Sequence, residues 1–84
     1  MNEKILVEIR VPAAGKRFDV YIPAELRLGE ITWLVSDALS ELSGNQFRGT
    51  AETTLCDADT GEILDVNLSA GELGIREGSA LLLI

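Results

Sequence analysis

From residue 4 the chain alternates strictly: Ile5, Val7, Ile9 and Val11 fall on one side, with Lys4, Leu6, Glu8 and Arg10 on the other. A period of two predicts a β-strand with one buried face. Pro12 has no amide to donate and ends the ladder, and Ala13, Ala14, Gly15 and Lys16 supply a short turn. Alternation then resumes with Phe18, Val20 and Ile22 opposite Arg17, Asp19 and Tyr21, and Pro23 closes it. Two such segments joined by a short glycine-containing turn predict an antiparallel hairpin.

The period then lengthens. Ile31, Leu34, Val35, Ala38, Leu39 and Leu42 recur at i, i+3, i+4, i+7, i+8 and i+11, so all six are expected on one buried stripe of a helix over residues 29–43. Gly29 is the expected N-cap, Glu30 suits the positive end of the helix dipole, and Gly44 offers a left-handed stop. After a polar loop over residues 45–52, short strands are expected over 53–57 and 62–65, joined by the turn chemistry of Asp57, Asp59, Thr60 and Gly61. The glycine-rich segment 68–75 predicts a helical turn or tight loop that drops Leu68, Leu73 and Ile75 onto the core, before a final strand over 80–84. Nothing else in the chain can cover the sheet, so the helix must pack across it, giving an α+β fold in one domain, residues 1–84.

At 84 residues the chain holds one compact domain, and 46% hydrophobic with 25% charged residues is the balance of a globular protein. Asp and Glu number 14 against 7 Lys and Arg, a formal charge of -7. That excess, with cations scattered along the sequence, argues against nucleic acid and anionic membrane surfaces, since both bind through clustered positive charge. No apolar run reaches the roughly 18–20 residues of a membrane span. Residues 1–4 also lack the basic and apolar regions of a secretory signal, so a cytoplasmic protein without membrane insertion is expected. A single cysteine, Cys56, closes no internal disulfide and fits a reducing compartment.

With no histidine, the usual general base and the commonest metal ligand are missing. No GxGxxG, GxxxxGK[ST] or GxSxG occurs either, and no catalytic residue, metal or cofactor is expected. Asp57, Asp59 and Glu62 invite a calcium reading. An EF-hand loop needs glycine sixth and an acid twelfth, but counted from Asp57 the fifth residue is Gly61 and the twelfth Leu68. A hairpin turn accounts for these acids. Cys56 has no adjacent Lys, Arg or His to lower its thiol pKa, so a plain strand position is expected for it.

Residues 68–83, LSAGELGIREGSALLL, carry a leucine-anchored loop and a glycine-containing turn that lead into the last strand. This closing pattern resembles that of the ubiquitin-like, β-grasp superfamily, and the resemblance covers nearly the whole chain. Within that superfamily the size, the FDVYIP strand from Phe18 to Pro23, the following helix and the Leu73-Gly74-Ile75 loop are most similar to the small YukD/EsaB-like proteins of bacterial type VII secretion. The resemblance implies a mixed sheet of four to five strands crossed by one helix, with the first and last strands side by side in parallel. It also implies a non-enzymatic protein-interaction module, an accessory or regulatory component with secretion-machinery proteins as partners. Two alternatives stay open: a structural cytosolic ubiquitin-like part of a membrane secretion assembly, and a general adaptor unrelated to secretion. Conjugated ubiquitin-like modifiers end in a flexible Gly-Gly tail whose carboxylate is adenylated. Here Ile84 falls within the expected last strand, so conjugation is not expected.

In the superfamily the open face of the sheet is the usual partner site. With Ile5, Val7, Leu81 and Leu83 facing the helix, Leu6, Leu82 and Ile84 are expected as neighbours on that open face, joined by Cys56 from the adjoining strand. The competing reading is ordinary apolar surface. Trp33 falls nearly opposite the predicted helical stripe, beside Asp37 and Ser40. It is either a docking aromatic or a ring packed along the helix on Tyr21, Phe47 or a loop.

Overall fold

The structure, a computed structural model, describes residues 3–42, 44 and 53–84. Strands β1 (Lys4–Val11) and β2 (Lys16–Pro23) form the hairpin, in register from Lys4 opposite Pro23 to Val11 opposite Lys16. A 3-10 turn over Pro12–Ala14 connects them, and Gly15 closes it at φ 61°, donating its N–H to the Pro12 carbonyl at 3.1 Å. Glycine takes that left-handed conformation without a Cβ clash. Helix α1 (Leu28–Leu42), β3 (Leu55–Asp57) and β4 (Ala80–Leu83) follow.

The sheet order is β2-β1-β4-β3. The central pair, β1 and β4, is parallel and both outer pairs are antiparallel, so the sheet formed by the described residues is mixed and four-stranded. Every second residue of β1 (Ile5, Val7, Ile9, Val11) is buried, as are Leu81 and Leu83 of β4, Ile22 of β2 and Leu55 of β3. Against them α1 packs Leu28, Ile31, Val35 and Leu39. Burial of each such side chain is worth about 1.5–3 kcal/mol, so this interface carries the fold.

The helical seam differs from the sequence expectation. The buried positions are Leu28, Ile31, Thr32, Val35, Ser36 and Leu39, whereas Leu34, Ala38 and Leu42 face outward, Leu34 at 54% exposure and Leu42 at 64%. At about 100° per residue the buried stripe is turned by roughly 60–70° toward Thr32 and Ser36. The Thr32 hydroxyl donates to the Leu28 carbonyl at 2.7 Å, so its burial leaves no polar group unsatisfied.

Gly29 is not the N-cap. The helix begins at Leu28, and the Arg27 carbonyl accepts from the N–H groups of Glu30 and Ile31 at 3.0 and 3.1 Å. The first free amides are satisfied by a turn from the far end of the chain. Leu28 N–H donates to the Leu68 carbonyl at 2.8 Å and Gly29 N–H to the Val66 carbonyl at 3.1 Å. At the other end Gly44 has φ 65°, the left-handed stop expected there, while Ser43 and the polar loop 45–52 lie outside the described residues.

The strand expected over 62–65 is reduced to one bridge, Cys56 with Ile63. Asp65 then accepts the Asn67 N–H at 2.9 Å, which bends the chain away from β3 before a ladder can lengthen. In the segment 68–75, Ile75 is buried and Leu73 packs on the core as expected. Leu68 stays half-buried, and the fully buried anchor is Ala70.

Candidate functional site

On the face of the sheet away from α1 the registers set three rows. Tyr21 stands opposite Leu6, and Asp19 stands opposite Glu8, which pairs with Ala80. Arg17 stands opposite Arg10, Arg10 beside Leu82, and Leu82 beside Cys56. The expected neighbours are therefore divided. Leu82 pairs with Arg10, four residues along β1 from Leu6 and about 13 Å away at 3.3 Å per residue. Ile84 lies further on, exchanging two backbone hydrogen bonds with Thr54 at 2.8 and 3.0 Å. Cys56 does adjoin Leu82, but it is buried at 1% exposure, so it offers no docking surface.

Charge fills the space between the two leucines. Arg10 Nε is 2.7 Å from Glu8 Oε1, and Arg17 Nη1 is 4.0 Å from the same oxygen. Chiefly through its hydrogen bond from Arg10, Glu8 is held below the ordinary carboxyl range, and Arg10 is raised in return. The hairpin also corrects the picture of scattered cations: Arg10, Lys16 and Arg17 line one shallow depression beside Leu82 at the turn end of the sheet. Glu8 partly neutralises that cluster. At the opposite end Leu6 is tied down through its backbone, its N–H donating to Glu77 Oε1 at 2.7 Å.

Asp57, the first acid of the β3 turn, is engaged in the turn itself. Asp57 Oδ1 accepts from the N–H groups of Asp59 and Thr60 at 2.8 and 3.2 Å. Among the described residues no three His, Cys, Asp or Glu converge as metal ligands. No helix among them is long and apolar enough to cross a membrane.

The larger apolar surface lies elsewhere. Trp33 is 72% exposed, which removes the reading in which it packs on Tyr21, itself 65% exposed. Phe47, the other candidate cover, lies outside the described residues. Beside the edge of the sheet, Val20 and Ile22 of β2 and Ile31, Leu34, Val35 and Ala38 of α1 line an apolar groove of about 210 Å³. Sequence reasoning missed it by assigning Leu34 and Ala38 to the core. The available signal was the width of the apolar arc. Residues 28, 31, 33, 34, 35, 38, 39 and 42 cover more of the helix than one sheet can bury.

A sequence profile of the family described as "WXG100 protein secretion system (Wss), protein YukD" matches residues 6–83. No curated protein sequence matches the chain. Among solved structures, it is similar to the ubiquitin-like domain of the Mycobacterium tuberculosis type VII secretion system protein ECCD1, with TM-score 0.77, 18% identity and 98% of each chain covered. It is similar to the EccD5 ubiquitin-like domain from Mycobacterium xenopi at TM-score 0.73 and 25% identity, over 98% of this chain and 93% of that one. A chain of the MycP5-free ESX-5 inner membrane complex also matches, at TM-score 0.71 and 21% identity, over 96% of this chain and 20% of the other. The fold shared with these chains is the ubiquitin-like one.

Proposed function

The chain belongs to the family of YukD, a protein of the WXG100 protein secretion system, and from that premise we propose that it is a non-enzymatic docking module of such a system. In this reading it works on the cytoplasmic side, binding another secretion component reversibly and without forming a covalent bond. The family match over residues 6–83 carries the reading. Two features support the mode of action. Large apolar side chains, Trp33, Leu34 and Tyr21, stand on its surface, and Asp57 of its β3 turn is engaged with backbone amides.

A second reading has its own support. The likeness to a domain within the ESX-5 inner membrane complex favours a permanent structural part of a membrane assembly. Affinity purification of the tagged protein from native cells separates the two. Capture of a secretion component from the soluble fraction, lost at high salt, supports the accessory role. Stable co-purification with a detergent-extracted membrane assembly supports the structural one. Absence of any secretion component above an untagged control overturns both. An isopeptide or thioester adduct in the intact mass overturns the non-covalent mechanism.

A further inference from the structure

We propose that the groove between the free edge of β2 and helix α1 receives an extended, apolar protein segment flanked by lysine or arginine, which joins the sheet as an additional strand. The inference rests on the docking reading above and specifies the surface and the chemistry of what binds there.

The backbone of β2 supplies the first wall. β2 is an edge strand, and Ala24 N–H donates to the Glu3 carbonyl at 2.9 Å. Hydrogen-bonded pairs alternate along an antiparallel ladder, so residues 22, 20 and 18 bond inward to β1. The N–H and C=O groups of Arg17, Asp19 and Tyr21 then point out of the sheet. Among the described residues, none of the turn and loop hydrogen bonds reaches them. An unpaired ladder of this kind is a template for another strand.

The second wall is the outward side of α1. A strand added to β2 would direct alternate side chains toward Leu34 and Ala38, over Val20, Ile22 and Ile31. The groove, at about 210 Å³, is below the roughly 300–1,000 Å³ of small-molecule sites, so it fits side chains better than a cofactor. A helical ligand would leave the free ladder of β2 unused.

Charge selects the flanks. α1 contains no Lys or Arg, and its exposed carboxylates Glu30, Asp37 and Glu41 stand around Leu34 in helical spacing. Lys16 and Arg17 lie at the far end of β2, outside the groove lining, and the side chains of Asp19 and Arg17 belong to the open face of the sheet. A segment with cations beside its apolar residues complements this rim. A second copy of the chain, at -7, brings the same acids and is repelled.

The test is an NMR titration with a short synthetic peptide of alternating valine, threonine and isoleucine with lysine at both ends. A glutamate-ended version and a version with a central proline serve as comparisons. The lysine peptide should perturb the amides of Arg17, Asp19 and Tyr21 and the methyl groups of Leu34, and bind more weakly as salt rises. Both comparison peptides, and the variants Leu34→Lys and Ala38→Lys, should lose about tenfold or more in affinity. Both substituted side chains are solvent-exposed, so circular dichroism should show folded variants. Perturbation confined to the open face around Leu6 and Leu82, equal binding of the glutamate or proline peptide, or no binding at millimolar peptide would each overturn the proposal. So would concentration-dependent shifts of the same amides without peptide, which would assign the groove to a second copy. No secretion component is present in this titration, so its failure leaves the docking reading standing, and a failed co-purification leaves the groove standing.

Discussion

Ser69 and Glu72 satisfy each other's backbones. Ser69 N–H donates to Glu72 Oε1 at 3.0 Å, and Glu72 N–H donates to Ser69 Oγ at 3.1 Å. This reciprocal box shapes the turn that buries Ala70 and lets Gly71 N–H reach the Ala24 carbonyl at 3.0 Å. The hydrogen bond from the Ser69 amide, followed by that with its hydroxyl, holds the Glu72 carboxyl below its ordinary value. A carboxyl with a lowered folded-state pKa stabilises the fold above its unfolded pKa, and that stabilisation is lost as pH falls through the folded value. Glu72→Ala should therefore melt below the parent at neutral pH, with the gap closing in acid. A gap independent of pH would mean that the charged box contributes nothing.

Leu39 and Leu34, which share one apolar stripe in the sequence, should part company in stability. Leu39 is fully buried between helix and sheet, and Leu39→Ala should cost about 2–5 kcal/mol in urea unfolding, a large share of a small domain's total. Leu34→Ala, at an exposed position, should cost under about 1 kcal/mol. Equal losses would restore the stripe expected from sequence periodicity.

The reason for that difference also explains how much of the molecule was legible. The hairpin could be read closely because alternation admits one inward face and Pro12, Gly15 and Pro23 mark the ends, and the last strand because a short apolar run follows the turn at Gly78. The helix was legible as an element but not in its rotation. Apolar residues occupy two adjoining sides, and the observed rotation buries Thr32. That burial is tolerated because the Thr32 hydroxyl bonds the Leu28 carbonyl, which apolar periodicity alone does not reveal. The Glu62 to Asp65 stretch read as a strand because nothing local announced that Asp65 would turn the chain through Asn67. Leu6 is separated from the other open-face residues for a longer-range reason. Periodicity put Leu6 and Leu82 on the same face, but only the β1–β4 register, set by residues 72 positions apart, puts Arg10 beside Leu82. The groove at the edge of β2 was hidden by the same misplaced rotation.

Trp33 should report on solvent rather than on the core. At 72% exposure its emission should be red-shifted and readily quenched by iodide, and Trp33→Ala should change stability by no more than about 0.5 kcal/mol. If Trp33 also contributes to docking, one of the two readings open for it in the sequence, the same variant should weaken capture of the secretion component without altering the melt. A blue-shifted, shielded indole would remove Trp33 from the docking surface.

Gly29 gives the sharpest steric test. Its N–H donates to the Val66 carbonyl at 3.1 Å, and a Cβ built there would lie 3.4 Å from both the Val66 carbonyl oxygen and the Val66 Cβ. A methyl group just fits at that distance, and alanine regains about 0.5–1 kcal/mol of helix propensity over glycine. Gly29→Ala should therefore be neutral or stabilising by up to about 1 kcal/mol. Leucine carries further carbons into the same space and must push Val66 away, which breaks the bond capping Gly29 and strains the neighbouring one from Leu28 N–H to the Leu68 carbonyl. Gly29→Leu should cost about 1–3 kcal/mol, with faster hydrogen exchange at the amides of residues 28 and 29. If both variants melt with the parent and exchange is unchanged, the turn through Val66 does not hold the start of the helix.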